Sequence, residues 1–170
     1  MEYLGVDIGF GYTKSYDGDR SFIFKSIIGD PTEIQFQSGF SEGGILENLH
    51  VTVDGKDYYI GDLAEKQSNV RDFTLDQNTL VENNAKILAL TSLALFPEPG
   101  PREYNVVTGL PIRFFKQYRS RSVSMLEGTH KILLHNRDEV QEKVLEIKKV
   151  RVLPQPFGAV FNLLMNNHGR

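Results

Sequence analysis

The stretch whose reading decides the fold is Gly5-Val-Asp7-Ile-Gly9-Phe-Gly11-Tyr-Thr13-Lys14. An apolar run over 3–8 ends in a carboxylate and two glycines, and a second β-type run over 11–16 follows at once. Glycines that reach φ > 0 would let the chain turn back here. Such a turn can aim successive backbone N–H groups into one anion-binding concavity. Asp7 is compatible with a polyphosphate at that place only if a cation stands between them, most simply Mg²⁺ held through water. Lys14 adds a point charge for the phosphates. Two better-known phosphate loops do not fit, because GxxxxGK[ST] and GxGxxG both open a helix. Here Gly11 leads into another strand, and the sixth position from Gly9 is Lys14. The plainer alternative for Gly9 and Gly11 is a tight hairpin with no ligand.

Outward from this stretch, Asp17-Gly18-Asp19 separates the second run from a third over 21–28. Asp-Gly between β-type segments signals a hairpin, so the opening predicts a three-stranded antiparallel meander and not a βαβ unit. From 29 to 78 the composition shifts to Gly, Ser, Asn, Asp and Gln, with strand-like pieces at 45–53 and 56–60 joined by Asp54-Gly55. This predicts a small subdomain inserted at about 30–78, the core being 1–29 and 79–170. Thr79 and Glu82 have the spacing of a capping box. Ala85, Leu88, Ala89, Ser92 and Leu95 then form a stripe at helical spacing that ends before Pro97. A strand over 104–111, a helix over 114–126, strands over 129–135 and 139–153, and a helix over 157–165 complete the reading.

Bulk properties narrow the function. A chain of 170 residues suffices for one domain with a sizeable core, or one carrying an insertion. Nineteen Lys and Arg against 22 Asp and Glu leave a formal charge of −3, no electrostatic basis for sequence-independent DNA binding. The absence of cysteine excludes disulfides and thiolate metal sites. The N-terminus lacks the regions of a signal peptide, and the longest mainly apolar stretch, 87–96, is far short of the ~20 residues that span a bilayer. A soluble, cytoplasmic protein with no membrane contact is expected. His50, His130, His135 and His168 show no metal-ligand spacing. His130 and His135, five apart on a strand, are expected on opposite faces. Arg113, Lys116, Arg119 and Arg121 put four positive charges near one helix, read as a solvated face with a filament or partner contact as the sharper alternative. No Ser/His/Asp or Cys/His arrangement can be argued.

The run from Asp7 to Lys14 resembles the first phosphate loop of the actin superfamily, with the Asp, both glycines and the Lys in register. Phe24-Lys-Ser26-Ile-Ile28-Gly29-Asp-Pro31 resembles the Pro-Ser-Ile-Val-Gly segment after the third strand of actins, and Tyr59-Ile-Gly61-Asp62 is similar to their Val-Gly-Asp. Val107-Thr108-Gly109-Leu110-Pro111 resembles a strand end of plasmid-segregation (ParM/StbA-type) and archaeal actin-like proteins. Val152-Leu-Pro154-Gln155-Pro156-Phe-Gly158-Ala159 is similar to the junction before their second phosphate loop.

The resemblance implies a ribonuclease H-like α/β fold, a mixed sheet flanked by helices with an inserted small subdomain. It implies ATP or ADP with Mg²⁺ as ligands, Asp7 lying near the Mg²⁺ and its waters. Backbone N–H groups of Gly9, Phe10, Gly11 and Tyr12 would face the β- and γ-phosphates, with Thr13 in the same loop and Lys14 beside them. Gln155 falls where the family keeps the Gln or Glu that orients the attacking water, and many plasmid actins have Glu there. The second phosphate loop and the adenosine pocket have no counterpart, so the chain reads as the N-terminal half, with weak ATP affinity and negligible turnover expected of it alone. The whole protein would polymerise head to tail, hydrolyse ATP and reach DNA through an adaptor, without direct nucleic-acid binding. A sugar- or acetate-kinase-like phosphotransferase of the same superfamily and a non-catalytic interaction module remain alternatives.

Overall fold

Alternation along the first strand sets the layers. In β1 (Glu2–Ile8) Leu4 and Val6 are buried while Tyr3 and Asp7 are exposed, so one face of the strand meets the core and the other stays open. The computed structural model describes residues 2–31, 44–68, 71–73, 83–96, 102–136, 139–155 and 157. β1 pairs antiparallel with β2 (Tyr12–Tyr16), which pairs antiparallel with β3 (Ser21–Lys25), giving the expected meander. On β2 the same alternation buries Thr13 and Ser15 and exposes Tyr12, Lys14 and Tyr16.

The β2–β3 turn is held by one carboxylate. Asp17 Oδ1 accepts the N–H groups of Arg20 and Asp19 at 2.6 and 2.9 Å, and Oδ2 meets the Arg20 guanidinium at 2.7 Å. The Arg20 amide above all, then the Asp19 amide, hold its pKa down to about 2 from 3.8. A depressed carboxylate stabilises the fold above its unfolded pKa, and that contribution is lost as pH falls through the folded value. Asp17→Ala is therefore expected to lower the melting temperature at neutral pH. The gap to the parent chain should close between pH 4 and pH 2. A gap that stays constant on acidification would show that the carboxylate charge is not what holds the turn.

The third strand departs from the expectation of one run over 21–28. It breaks at Ser26, and β4 (Ile27–Gly29) leaves for the other half of the sheet. The buried Ser26 and Thr13 hydroxyls lie 2.9 Å apart, and the Ser26 N–H donates to Gly11 O at 3.0 Å. These bonds pin the kink to the first hairpin. The piece expected as a strand over 45–53 is a short 3-10 helix (Ile45–Asn48) followed by β5 (His50–Val53). β5 and β6 (Lys56–Ile60) form a hairpin in which Asp54 (φ 52°) and Gly55 (φ 77°) both take the left-handed conformation of a type I′ turn.

With β7 (Arg71–Phe73), β8 (Arg102–Leu110), β9 (Gly128–Asn136) and β10 (Glu139–Pro154), the described strands form one mixed sheet in the order β3-β2-β1-β8-β10-β9-β5-β6-β4-β7. The 16-residue β10 joins its halves: residues 139–147 pair antiparallel with β9, and 145–154 run parallel to β8 across a bulge between Ile147 and Lys149. β4 is tied to α1 (Asp62–Gln67) by a close approach, since a Cβ on Gly29 would lie 2.1 Å from Ser68 Oγ. Gly61 caps α1 at φ 63°, ψ −128°, a backbone that favours glycine, and Lys25 Nζ bridges Glu65 and Asp62 at 2.6 and 2.9 Å. The Ser-Ile-Ile-Gly and Ile-Gly-Asp segments thus have structural reasons of their own.

Two longer helices pack on the Leu4/Val6 side. The residues of the expected capping box, Thr79 and Glu82, lie outside the described residues. The one-sided stripe does not hold for α2 (Asn83–Ala94), where Asn84, Ala85 and every residue from Ile87 to Ala94 are buried. The reason is topological: α2 touches β1, β2, β9 and β10, so both halves of the sheet wrap it. α3 (Ile112–Leu126) is amphipathic, burying Ser122 and Leu126 and exposing Arg113, Lys116, Arg119 and Arg121. Of the helix expected over 157–165 only residue 157 is among the described residues. No helix of the described residues is long and apolar enough to cross a membrane.

Candidate functional site

β1, β8 and β10 run parallel, with Val6 opposite Thr108 and Leu110 opposite Pro154, so their carboxyl ends lie side by side. In open α/β sheets ligands bind at such ends. A cleft of about 810 Å³ lies there, lined among others by Asp7, Gly9, Lys14, Thr108, Gly109 and Gln155. Asp7 and Lys14 are direct register partners on β1 and β2. Both are exposed on the open face, and no ion pair joins them among the described residues. Gln155 follows β10 immediately, and its Nε2 donates a long hydrogen bond, 3.4 Å, to Asp7 Oδ1. A carboxylate, an ammonium and an amide from distant parts of the chain therefore converge on one space.

The turn between β1 and β2 closes differently from the sequence reading. Neither Gly9 nor Gly11 takes positive φ. The Gly9 N–H donates to Tyr12 O at 3.0 Å, and a Cβ on Gly9 would sit 3.0 Å from that same oxygen. Close packing of the hairpin, not a left-handed backbone, is what calls for glycine at 9. Gly11 faces open space. The Gly9 amide is thus already engaged within the turn.

The loop residues divide. Phe10 lines a second, smaller cavity of about 110 Å³ with Leu110, Phe114 and Leu126, which shares Gly9 and Gln155 with the main cleft. Gly11, Tyr12 and Thr13 line neither cavity. The Thr13 side chain is 0% exposed and committed to Ser26, as its place on β2 dictates. Sequence reasoning did not single out Gly109 as part of the site. A Cβ there would lie 2.9 Å from Gln155 Cγ, so the missing side chain lets Gln155 cross the end of β8. The Val107–Pro111 segment carried the signal.

A meander, parallel strands following it and a cleft at their carboxyl ends define an α/β domain of the ribonuclease H-like, actin-type class. Residues 5–158 match the family described as "Actin like proteins N terminal domain", and the chain belongs to that family. Comparison with curated proteins gives no match at comparable stringency. Among solved structures, the apo ParM protein of psk41 superposes with a TM-score of 0.75 at 23% identity, over 92% of this chain and 50% of that one. The archaeal actin homologue Ta0583 in complex with ADP gives 0.75 at 20%, over 98% and 48%. An AlfA filament bound to AMPPNP gives 0.59 at 17%, over 91% and 54%. The chain spans about half the length of these structures.

Proposed function

We propose that the chain is the nucleotide-gripping half of a filament-forming actin-like protein of plasmid or DNA segregation, binding ATP or ADP with Mg²⁺. The observation that carries this reading is the opposition of Asp7 and Lys14 across one cleft without mutual neutralisation, with Gln155 beside them. A carboxylate and an ammonium on one wall, not paired with each other, suit a magnesium-bound polyphosphate, since each then finds an opposite charge. The complexes of Ta0583 with ADP and of the AlfA filament with AMPPNP support the ligand class.

In this reading Asp7 would hold a bound Mg²⁺ through water, and Lys14 would place its charge against the phosphates. Mg²⁺ supplies charge neutralisation when bound. Gln155 positions the attacking water through its amide, and its bond to Asp7 fixes that amide. Phosphoryl transfer depends mainly on such positioning and electrostatics. Residues 30–78 act as the inserted subdomain, and head-to-tail contacts build an open filament in the cytoplasm. An adaptor, not this chain, meets DNA.

Sedimentation tests it. A protein carrying this chain and a second cleft wall should pellet with Mg-ATP and stay soluble with ADP, and Lys14→Ala should abolish the difference. Nucleotide binding without pelleting in any state would remove the filament assignment, and absence of binding would remove the whole reading.

A further inference from the structure

His50 and His135 are far apart in sequence, yet strand register brings them into contact. His50 on β5 lies directly opposite His135 on β9, their rings stacked with centroids 4.0 Å apart. The β5–β6 hairpin sets Thr52 opposite Asp57, on the same face. One ligand atom from each of His50, Asp57 and His135 lies within 4.8 Å of the others. His50 Nε2 is buried and has no hydrogen-bond partner, its nearest charged neighbour being Asp57 Oδ2 at 3.9 Å.

An orphaned buried ring nitrogen costs free energy unless something meets it. Here it points toward a carboxylate that is too distant for a hydrogen bond but well placed to share an ion. We propose that His50, His135 and Asp57 bind a divalent first-row metal ion of the zinc class, pinning the β5–β6 hairpin to β9. Two imidazoles and a carboxylate are a normal donor set for Zn²⁺, with a water as fourth ligand. Bonds of about 2.0–2.2 Å require the donors to draw closer than they stand, a matter of side-chain rotation. His135 Nε2 now lies 2.7 Å from Thr52 Oγ1, whose hydroxyl donates to Asp57 Oδ1. Because the Thr52 hydroxyl donates to Asp57, His135 Nε2 carries the hydrogen toward Thr52. The ion displaces Thr52, and that hydrogen passes through solvent to Nδ1, so the ring binds as neutral imidazole through Nε2. Burial, and then the nearby His135, push the His50 pKa down to about 4 against the pull of Asp57. The site lies on the β9, β5 and β6 side of the sheet, away from the Asp7 cleft, and is independent of the nucleotide reading.

The test is Co²⁺ titration of the full chain, followed by visible absorption and displaced by Zn²⁺, with Mg²⁺ as the comparison ion. One equivalent of Co²⁺ should give a band that Zn²⁺ bleaches and Mg²⁺ does not. His50→Gln should weaken binding at least ~30-fold, and Asp57→Asn, at an exposed position, about 10-fold or more. His130→Gln, which alters a side chain bonded to Leu126 O, should leave the affinity unchanged. Zn²⁺ should also raise the melting temperature of the parent chain but not of Asp57→Asn, since a ligand of the native state stabilises by mass action. No Co²⁺ band, or a band that survives both ligand substitutions, overturns the proposal. Far-UV circular dichroism of each variant separates lost binding from lost fold.

Discussion

Leu88→Ala is expected to lower the unfolding free energy by about 3–5 kcal/mol, the upper part of the range for leucine truncation. Leu88 is 0% exposed, as are Leu90 and Leu93 on the same helix. The size of a truncation cost depends on whether the surroundings can collapse into the space left behind. Here they are poorly able to do so, because α2 is enclosed by β1, β2, β9 and β10, and ladder hydrogen bonds fix those strands in register. A domain of this size has about 5–15 kcal/mol in all, so the loss leaves it marginal. Urea unfolding followed by far-UV circular dichroism should show a lower midpoint with an unchanged slope. Ile112→Ala provides the contrast: at 67% exposure it should change stability by about 0.5 kcal/mol or less. A Leu88→Ala cost near 1 kcal/mol would mean that the sheet relaxes around the helix. The site would feel the change too, because Ser15 Oγ donates to Ser92 O at 3.4 Å and so couples α2 to the hairpin that carries Lys14.

What the sequence shows and what it hides divide along a physical line. The opening meander is readable because strand alternation and the Asp17-Gly18 turn are local signals, and the segment from Asp7 to Lys14 carries its chemistry in a few consecutive residues. The break at Ser26 is not readable, since it is made by Thr13 and Gly11, residues brought to it by strand pairing. Ser92, set by its spacing on the helical stripe, is buried there, with its hydroxyl donating to Ala89 O at 2.7 Å. What the stripe leaves out is the burial of Ile87, Leu90 and Leu93 between its members, because the wrapping of the sheet around α2 comes from strand pairing. The pairing of His50 with His135 is a matter of register between β5 and β9, which no spacing along the chain records. The meeting of Gln155 with Asp7 was approachable only through resemblance, because the two lie at opposite ends of the chain and meet where parallel strands end.

That meeting yields the second large expected effect. In a protein that supplies both cleft walls, Gln155→Ala should lower kcat for ATP hydrolysis by about 10²-fold, while nucleotide affinity changes by no more than about 3-fold. Asp7→Ala should do the reverse in part, weakening Mg²⁺-dependent binding before chemistry is reached. The split follows from geometry. Asp7 and Lys14 face each other across the hairpin and act on the bound ligand, whereas Gln155 contributes one amide held by a single long hydrogen bond. Gln155→Glu is the more revealing substitution. It sets a second carboxylate beside Asp7, and two like charges that close raise the pKa of one of them. Activity should then recover toward the parent level only as pH rises and that carboxyl ionises, giving a pH profile shifted to the alkaline side. Gln155 is exposed, so neither change should move the melting temperature appreciably. If the melting temperature falls while kcat stays level, Gln155 serves the turn after β10 and the water is positioned by something else.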